Sequence, residues 1–98
     1  MFEELRRETF EPLLDGEFEI DFGNGPVASM LVDVRPLNAP STEHQGRQPW
    51  SLLFRTEKSA SFEQAIYRVS HPSLGALDLF LVPVGPDESG MRYEAIFA

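Results

Sequence analysis

The sequence predicts an all-β fold, a small antiparallel β-barrel or sandwich of five to seven strands with at most a short N-terminal helix. Two observations carry this expectation. Six runs alternate apolar and polar residues, and each is bounded by Gly, Pro or Asn turns. The chain is also rich in aromatic residues, with eight Phe, two Tyr and one Trp, which suit strands and a compact core.

The elements follow in chain order. Residues 3–14 contain a helix-compatible stretch with Leu5, Phe10, Leu13 and Leu14 as its apolar positions, and Pro12 ends any helix before it. Asp15-Gly16 marks a turn. In "EFEIDF" Phe18, Ile20 and Phe22 alternate with Glu17, Glu19 and Asp21, the pattern of a half-buried strand with an acidic outer face. Asn24-Gly25 then predicts a hairpin, because both residues tolerate positive φ. The return strand spans Val27 to Arg35, with Ala28, Met30, Val32 and Val34 expected on one face and Ser29, Asp33 and Arg35 on the other. Pro36 ends it. Residues 36–49 hold three prolines, Pro36, Pro40 and Pro49, and no periodicity, and read as a long, exposed and mobile loop.

The third strand is "WSLLFRTE", with Trp50, Leu52, Phe54 and Thr56 on one face. "KSASFEQ" connects it to the next, and Phe62 is expected to tuck back into the core. "AIYRVS" sets Tyr67 and Val69 opposite Ile66 and Arg68. "HPSLG" predicts a hairpin loop closed by Gly75 in the left-handed region. The fifth strand carries apolar residues on both faces: Leu77, Leu79 and Leu81 on one, Ala76, Phe80, Val82 and Val84 on the other. Pro83 places its end or an edge there. "GPDESG" is a further turn. "MRYEAIF" closes the chain, with Met91, Tyr93, Ala95 and Phe97 inward.

The 98 residues fit one domain, residues 1–98, with a core large enough to stand without staples. There is no cysteine, so disulfides and thiolate metal sites are excluded. The N-terminus lacks the apolar core of a signal peptide, and no apolar run approaches membrane-spanning length. A cytoplasmic location without membrane attachment is the expectation. The net charge of −8 is unevenly spread. Residues 1–22 carry eight acids against Arg6 and Arg7, a balance of −6, so the other 76 residues carry −2. An acidic chain with Lys58 as its single lysine neutralises few phosphates, and nucleic acid is not an expected partner.

Chemistry-bearing motifs are sparse. His44 and His71 lie far apart, with no ligand-like spacing to a third residue, so no metal is expected. Asp87 and Glu88 in "PDESG" lack the spacing of a calcium loop and read as a turn. Ser70 and His71 are adjacent, and neighbours on a strand point to opposite faces, so they do not form a nucleophile and base. Glu17, Glu19 and Asp21 share one strand face, and a solvated stripe that guards against edge pairing explains them better than paired catalytic carboxylates. "GNGP" opens a strand rather than a helix and is a turn, not a phosphate cradle. No cofactor and no catalytic residue is expected.

"PWSLLFR", "IYRVSHPSLGALDLFLVPVG" and "MRYEAIF" together resemble an uncharacterised bacterial family of small domains of unknown function. Its members read "FSLLFRG", "QGIYRLEHPELG", "LFLVPVG" and "YEAVFN". The resemblance covers residues 9–98 and departs at Thr56 and Ala65, where the pattern has glycine, and at Ala98, where it ends in Asn. Those positions are turns and ends. The resemblance brings no activity with it. It implies a setting among phage-tail-like fibre or collar proteins.

The expected role is a non-catalytic protein-interaction or structural accessory domain, acting on a protein partner or on a second copy of itself. The alternatives are a small-ligand-binding barrel and, behind it, a small enzyme whose site is assembled from distant residues. Two apolar faces on the fifth strand need two covers, a core and something else. Periodicity does not choose which face is the core. The contact set is taken as Leu53, Arg55, Ile66, Arg68, Leu77, Leu79, Leu81 and Arg92, because arginine mixed with large apolar groups typifies interface cores. The competing account has residues 1–14 covering that face in a monomer.

Overall fold

A computed structural model describes residues 6–37, 49–57 and 62–97 of the chain. A short helix α1 (Arg7–Phe10) runs into a 3₁₀ turn (Glu11–Leu13) that contains Pro12. Six strands follow: β1 (Glu17–Asp21), β2 (Pro26–Pro36), β3 (Trp50–Thr56), β4 (Ala65–His71), β5 (Gly75–Asp87) and β6 (Gly90–Phe97). They form a closed barrel in the order β1-β2-β3-β6-β5-β4, with every neighbour antiparallel. Two consecutive-strand units, β1–β2–β3 and β4–β5–β6, therefore meet at two seams. One seam is the long β3–β6 ladder from Trp50↔Phe97 to Thr56↔Met91. The other is the short β1–β4 ladder from Glu19↔Ser70 to Asp21↔Arg68.

Strict alternation on β1, β3 and β6 places their large residues inside the barrel. Phe18, Ile20, Leu52, Phe54 and Tyr93 are all 1% exposed or less. At one end Phe10 lies against Trp50 (ring centroids 5.7 Å) and Phe97 (6.3 Å), and Trp50 stacks on Phe97 at 4.2 Å. Around Tyr93, Phe22 stacks on Phe62 at 4.2 Å and meets Tyr67 and Tyr93 at 4.8 and 5.1 Å. Phe62 thus packs against the core as expected.

The first half of β2 is the reverse of the expected facing. Ser29 and Leu31 are buried, while Ala28 and Met30 face out. Register explains this: Ser29 pairs with the inward Phe18, and Leu31 with the inward Phe54. The buried Ser29 hydroxyl donates to the Phe18 carbonyl at 3.2 Å, which makes a polar residue tolerable there. A register shift between Leu31 and Asp33 then resets the phase, so that Val34 packs on the core.

Two turns also differ in detail. In the β1–β2 connection the positive φ values fall on Gly23 (+115°) and Gly25 (+102°), not on Asn24. The Asp21 carboxylate accepts the amides of Gly23 (2.8 Å) and Gly25 (3.3 Å) and fixes that turn. β5 does not stop at Pro83 but continues to Asp87 through a register shift between Pro83 and Gly85. Gly75, with φ +76°, closes the β4–β5 hairpin in the left-handed region as expected. Most of the 36–49 loop, residues 38–48 with His44, lies outside the described residues, as do 1–5, 58–61 and 98.

Candidate interaction face

The β4–β5 register decides which side of β5 is the core. Leu77 pairs with Val69 and Leu79 with Tyr67, both inward residues, so the odd positions point inward. Leu79 is 4% and Leu81 0% exposed, and Leu77 is half-buried against the same core. The three leucines assigned to a contact face are therefore interior. The outward side carries Phe80, Val82 and Val84 instead, with Phe80 52% and Val84 40% exposed.

Phe80 pairs with Ile66 on β4, which is 67% exposed. On its other side the β5–β6 ladder ends at Val82↔Glu94. Ile66 and Phe80 thus form one outward apolar row on β4 and β5, and Ile96 is 59% exposed on β6 beyond that last rung. The next row holds Val82, Glu94, Leu53 and Asp33 in register, and Leu53 is half-buried within it. The described part of the N-terminal segment does not lie across this face. α1 packs against β2, and Phe10 seals the Trp50–Phe97 end.

The three arginines divide between two places. Arg68 borders the apolar row, between its register partners Asp21 and Asp78, and its Nε is 3.4 Å from Asp78. Arg55 and Arg92 lie farther along the barrel as a directly opposed pair. Like charges so placed repel, and nearby acceptors offset this. Arg55 is 3.6 Å from the Asp87 carboxylate, and the Arg92 Nε donates to the Gly85 carbonyl at 3.2 Å. These two arginines serve the β5–β6 turn rather than the apolar row.

Asp87 organises that turn. Its carboxylate accepts the amides of Ser89 (2.8 Å) and Gly90 (3.0 Å). The Ser89 hydrogen bond, followed by Arg55, the Gly90 amide and Arg92, holds its pKa below the ordinary 3.8, with partial removal from water acting in the opposite sense. A carboxyl depressed on folding stabilises the native state above its unfolded value, and that contribution is lost as pH falls through the folded value. The melting temperature of wild type should therefore exceed that of Asp87→Asn near neutral pH, and the gap should close as pH drops well below 3.8. A gap that is constant across an acid titration by calorimetry would show that the charge of Asp87 plays no part.

The remaining chemistry-bearing residues are not gathered. Ser70 lies opposite the outward Glu19, whereas the His71 ring lies against the inward Phe18 at 4.6 Å. His71 Nδ1 accepts the Ser73 amide at 3.0 Å, a turn bond. Glu17, Glu19 and Asp21 are exposed along β1. Among the described residues no three His, Asp or Glu side chains converge as a metal site would require. The buried Tyr93 hydroxyl accepts the Phe62 amide at 3.2 Å, and burial pushes its pKa above 10.0. No described helix is long and apolar enough to cross a membrane.

Sequence reasoning groups Phe80 and Val84 on a shared face but puts the contact on the leucines, and Ile96 is not in its contact set. The available signal was the pairing of Ile66, facing opposite to Tyr67 and Val69, with the even-numbered side of β5. No curated protein and no solved structure matches the chain. The model of one family, a domain of unknown function (DUF6916), matches residues 5–97. With nearly its whole length matched, the chain belongs to that family.

Proposed function

We propose that this domain is a non-catalytic interaction or structural accessory module that meets a protein partner through the outward side of β4, β5 and β6. The observation that carries this reading is the cross-strand pair Ile66 and Phe80, two large apolar side chains each more than half exposed, with Ile96 also more than half exposed on β6. Isolated exposed apolar residues are ordinary, but adjacent ones on neighbouring strands form a contiguous patch of the kind that marks contact sites. The inward positions support contact over ligand capture, because Phe18, Ile20, Leu31, Phe54, Leu81 and Tyr93 fill them with large side chains. The sequence resemblance adds a phage-tail-like assembly as the setting.

The test is site-specific photo-crosslinking in the native cell. A photoreactive residue at position 66, 80 or 96 should give covalent protein adducts, and one at Glu19, on the acidic outer side of β1, should give none. Absence of adducts at all three positions, with the chain expressed and folded, defeats the reading.

A further inference from the structure

We propose that the partner docks as an extended, basic segment that adds a strand to an open edge of β5; this rests on the reading of the face as a contact surface and gives the partner its chemistry. The edge comes from unequal ladders. β5 pairs with β4 from Gly75 to Leu81, but with β6 only from Val82 to Asp87. Among the described residues, Ala76 to Leu81 therefore has a paired neighbour on one side only. Residues of a strand turn their N–H and C=O groups alternately to one side and the other. Half of these six residues thus aim donors and acceptors away from β4, where no described strand pairs with them. Such a row of backbone groups is a template for another extended chain. Strand addition takes its affinity from main-chain hydrogen bonds and its selectivity from alternate side chains.

The side chains along this edge define the alternate positions of the added strand. Asp78 and Phe80 both face outward on β5, two residues apart. An added strand sets one side chain beside each of them. The one beside Phe80, 52% exposed, gains from being apolar. The one beside Asp78 gains from being cationic. The Asp78 side chain is 57% exposed, and its described ion pair is with Arg68, at 3.4 Å on the β4 side and so away from the edge. Glu94 stands in the last β5–β6 rung, where the edge begins, and Asp21 lies on the far side of Arg68. Asp21, Asp78 and Glu94 outnumber Arg68 around the Ile66–Phe80 pair, in a chain of net charge −8. That balance attracts a basic segment and repels an acidic one.

Nuclear magnetic resonance of the purified, nitrogen-labelled full chain tests this. The probe is the capped heptapeptide Thr-Lys-Val-Val-Val-Lys-Thr, a palindrome that presents the same side chains in either strand direction. Amide resonances of residues 76–81 should shift as it binds, with saturation at about millimolar peptide, and alternate amides of that run should become slow to exchange with solvent. The same peptide with both lysines replaced by glutamate should bind about tenfold more weakly, and a version N-methylated at its valines should not bind. Asp78→Lys changes an exposed side chain, so it should keep the wild-type circular dichroism and reverse the preference between the two charged peptides. No shifts at about 5 mM peptide, undiminished binding of the N-methylated version, or equal binding of the acidic peptide each overturn strand addition by a basic segment. Cellular adducts at positions 66 and 80, with no peptide bound, would overturn strand addition and leave the contact reading standing. Neither adducts nor bound peptide would end both.

Discussion

Gly90→Ala should destabilise the barrel by about 3 kcal/mol or more, a loss of roughly 12 °C or more in Tm for a domain of this size. Gly90 opens β6 with φ +154°, and a Cβ built there would lie 1.6 Å from the Thr56 carbonyl oxygen and 2.8 Å from its carbon. Both are backbone atoms, so no side chain can swing aside. Relief requires one of two movements. The Thr56↔Met91 rung of the long seam can open, which also strains the Thr56 hydroxyl bond to the Met91 carbonyl at 3.4 Å. Otherwise the turn at Glu88 and Ser89 must deform, which breaks the Asp87 bonds to the amides of Ser89 and Gly90. Gly23→Ala is the control. Gly23 also has positive φ, +115°, but nothing lies within 4 Å of its would-be Cβ. It should cost only about 1–2 kcal/mol, the strain of the backbone conformation alone. Equal losses for the two variants in denaturant titrations would mean that the close approach to Thr56 does not contribute.

The contrast between these glycines matches what the sequence did and did not reveal. Turns and half-buried strands are local, and "EFEIDF", "WSLLFRT" and "MRYEAIF" declare their inner faces by alternation with Glu, Arg or Asp. β2 does not, because Val27 to Val32 is apolar at all but Ser29, and the one polar residue is the buried one, bonded to Phe18. Its phase depends on pairing with residues on β1 and β3 and on the register shift after Leu31. β5 fails for the same reason. Leucines fill one face, and Phe80 with valines fills the other, so hydrophobicity alone cannot rank them. Pairing of Leu77 with Val69 settles it, and that is long-range information. The continuation past Pro83 was hidden because a proline that cannot donate and a glycine at φ +106° read locally as a stop. The candidate face inherits these limits. Arg68 and Ile66 could be named from the sequence, but its centre, Phe80, followed only from the register.

Phe10→Ala should cost about 3–5 kcal/mol, a large part of the 5–15 kcal/mol that keeps a domain of this kind folded. Phe10 is 0% exposed, yet it belongs to a helix of four residues. So short a helix does not persist on its own in water, since nucleation costs more than one turn of hydrogen bonds returns. What holds it is the ring of Phe10 against the stacked pair Trp50 and Phe97, with centroids at 5.7 and 6.3 Å. Truncation therefore removes a buried aromatic and releases the segment that carries it. Trp50, 9% exposed and the single tryptophan, reports the change directly. Its emission should shift to the red, and the amides of residues 7–11 and 13 should exchange with solvent far faster than those of the β3–β6 seam. Leu14→Ala, at a position 40% exposed, should cost well under 1 kcal/mol and leave the emission unchanged. A Phe10→Ala protein that loses less than about 1 kcal/mol and keeps wild-type emission would show that the barrel closes its Trp50 end without the N-terminal segment.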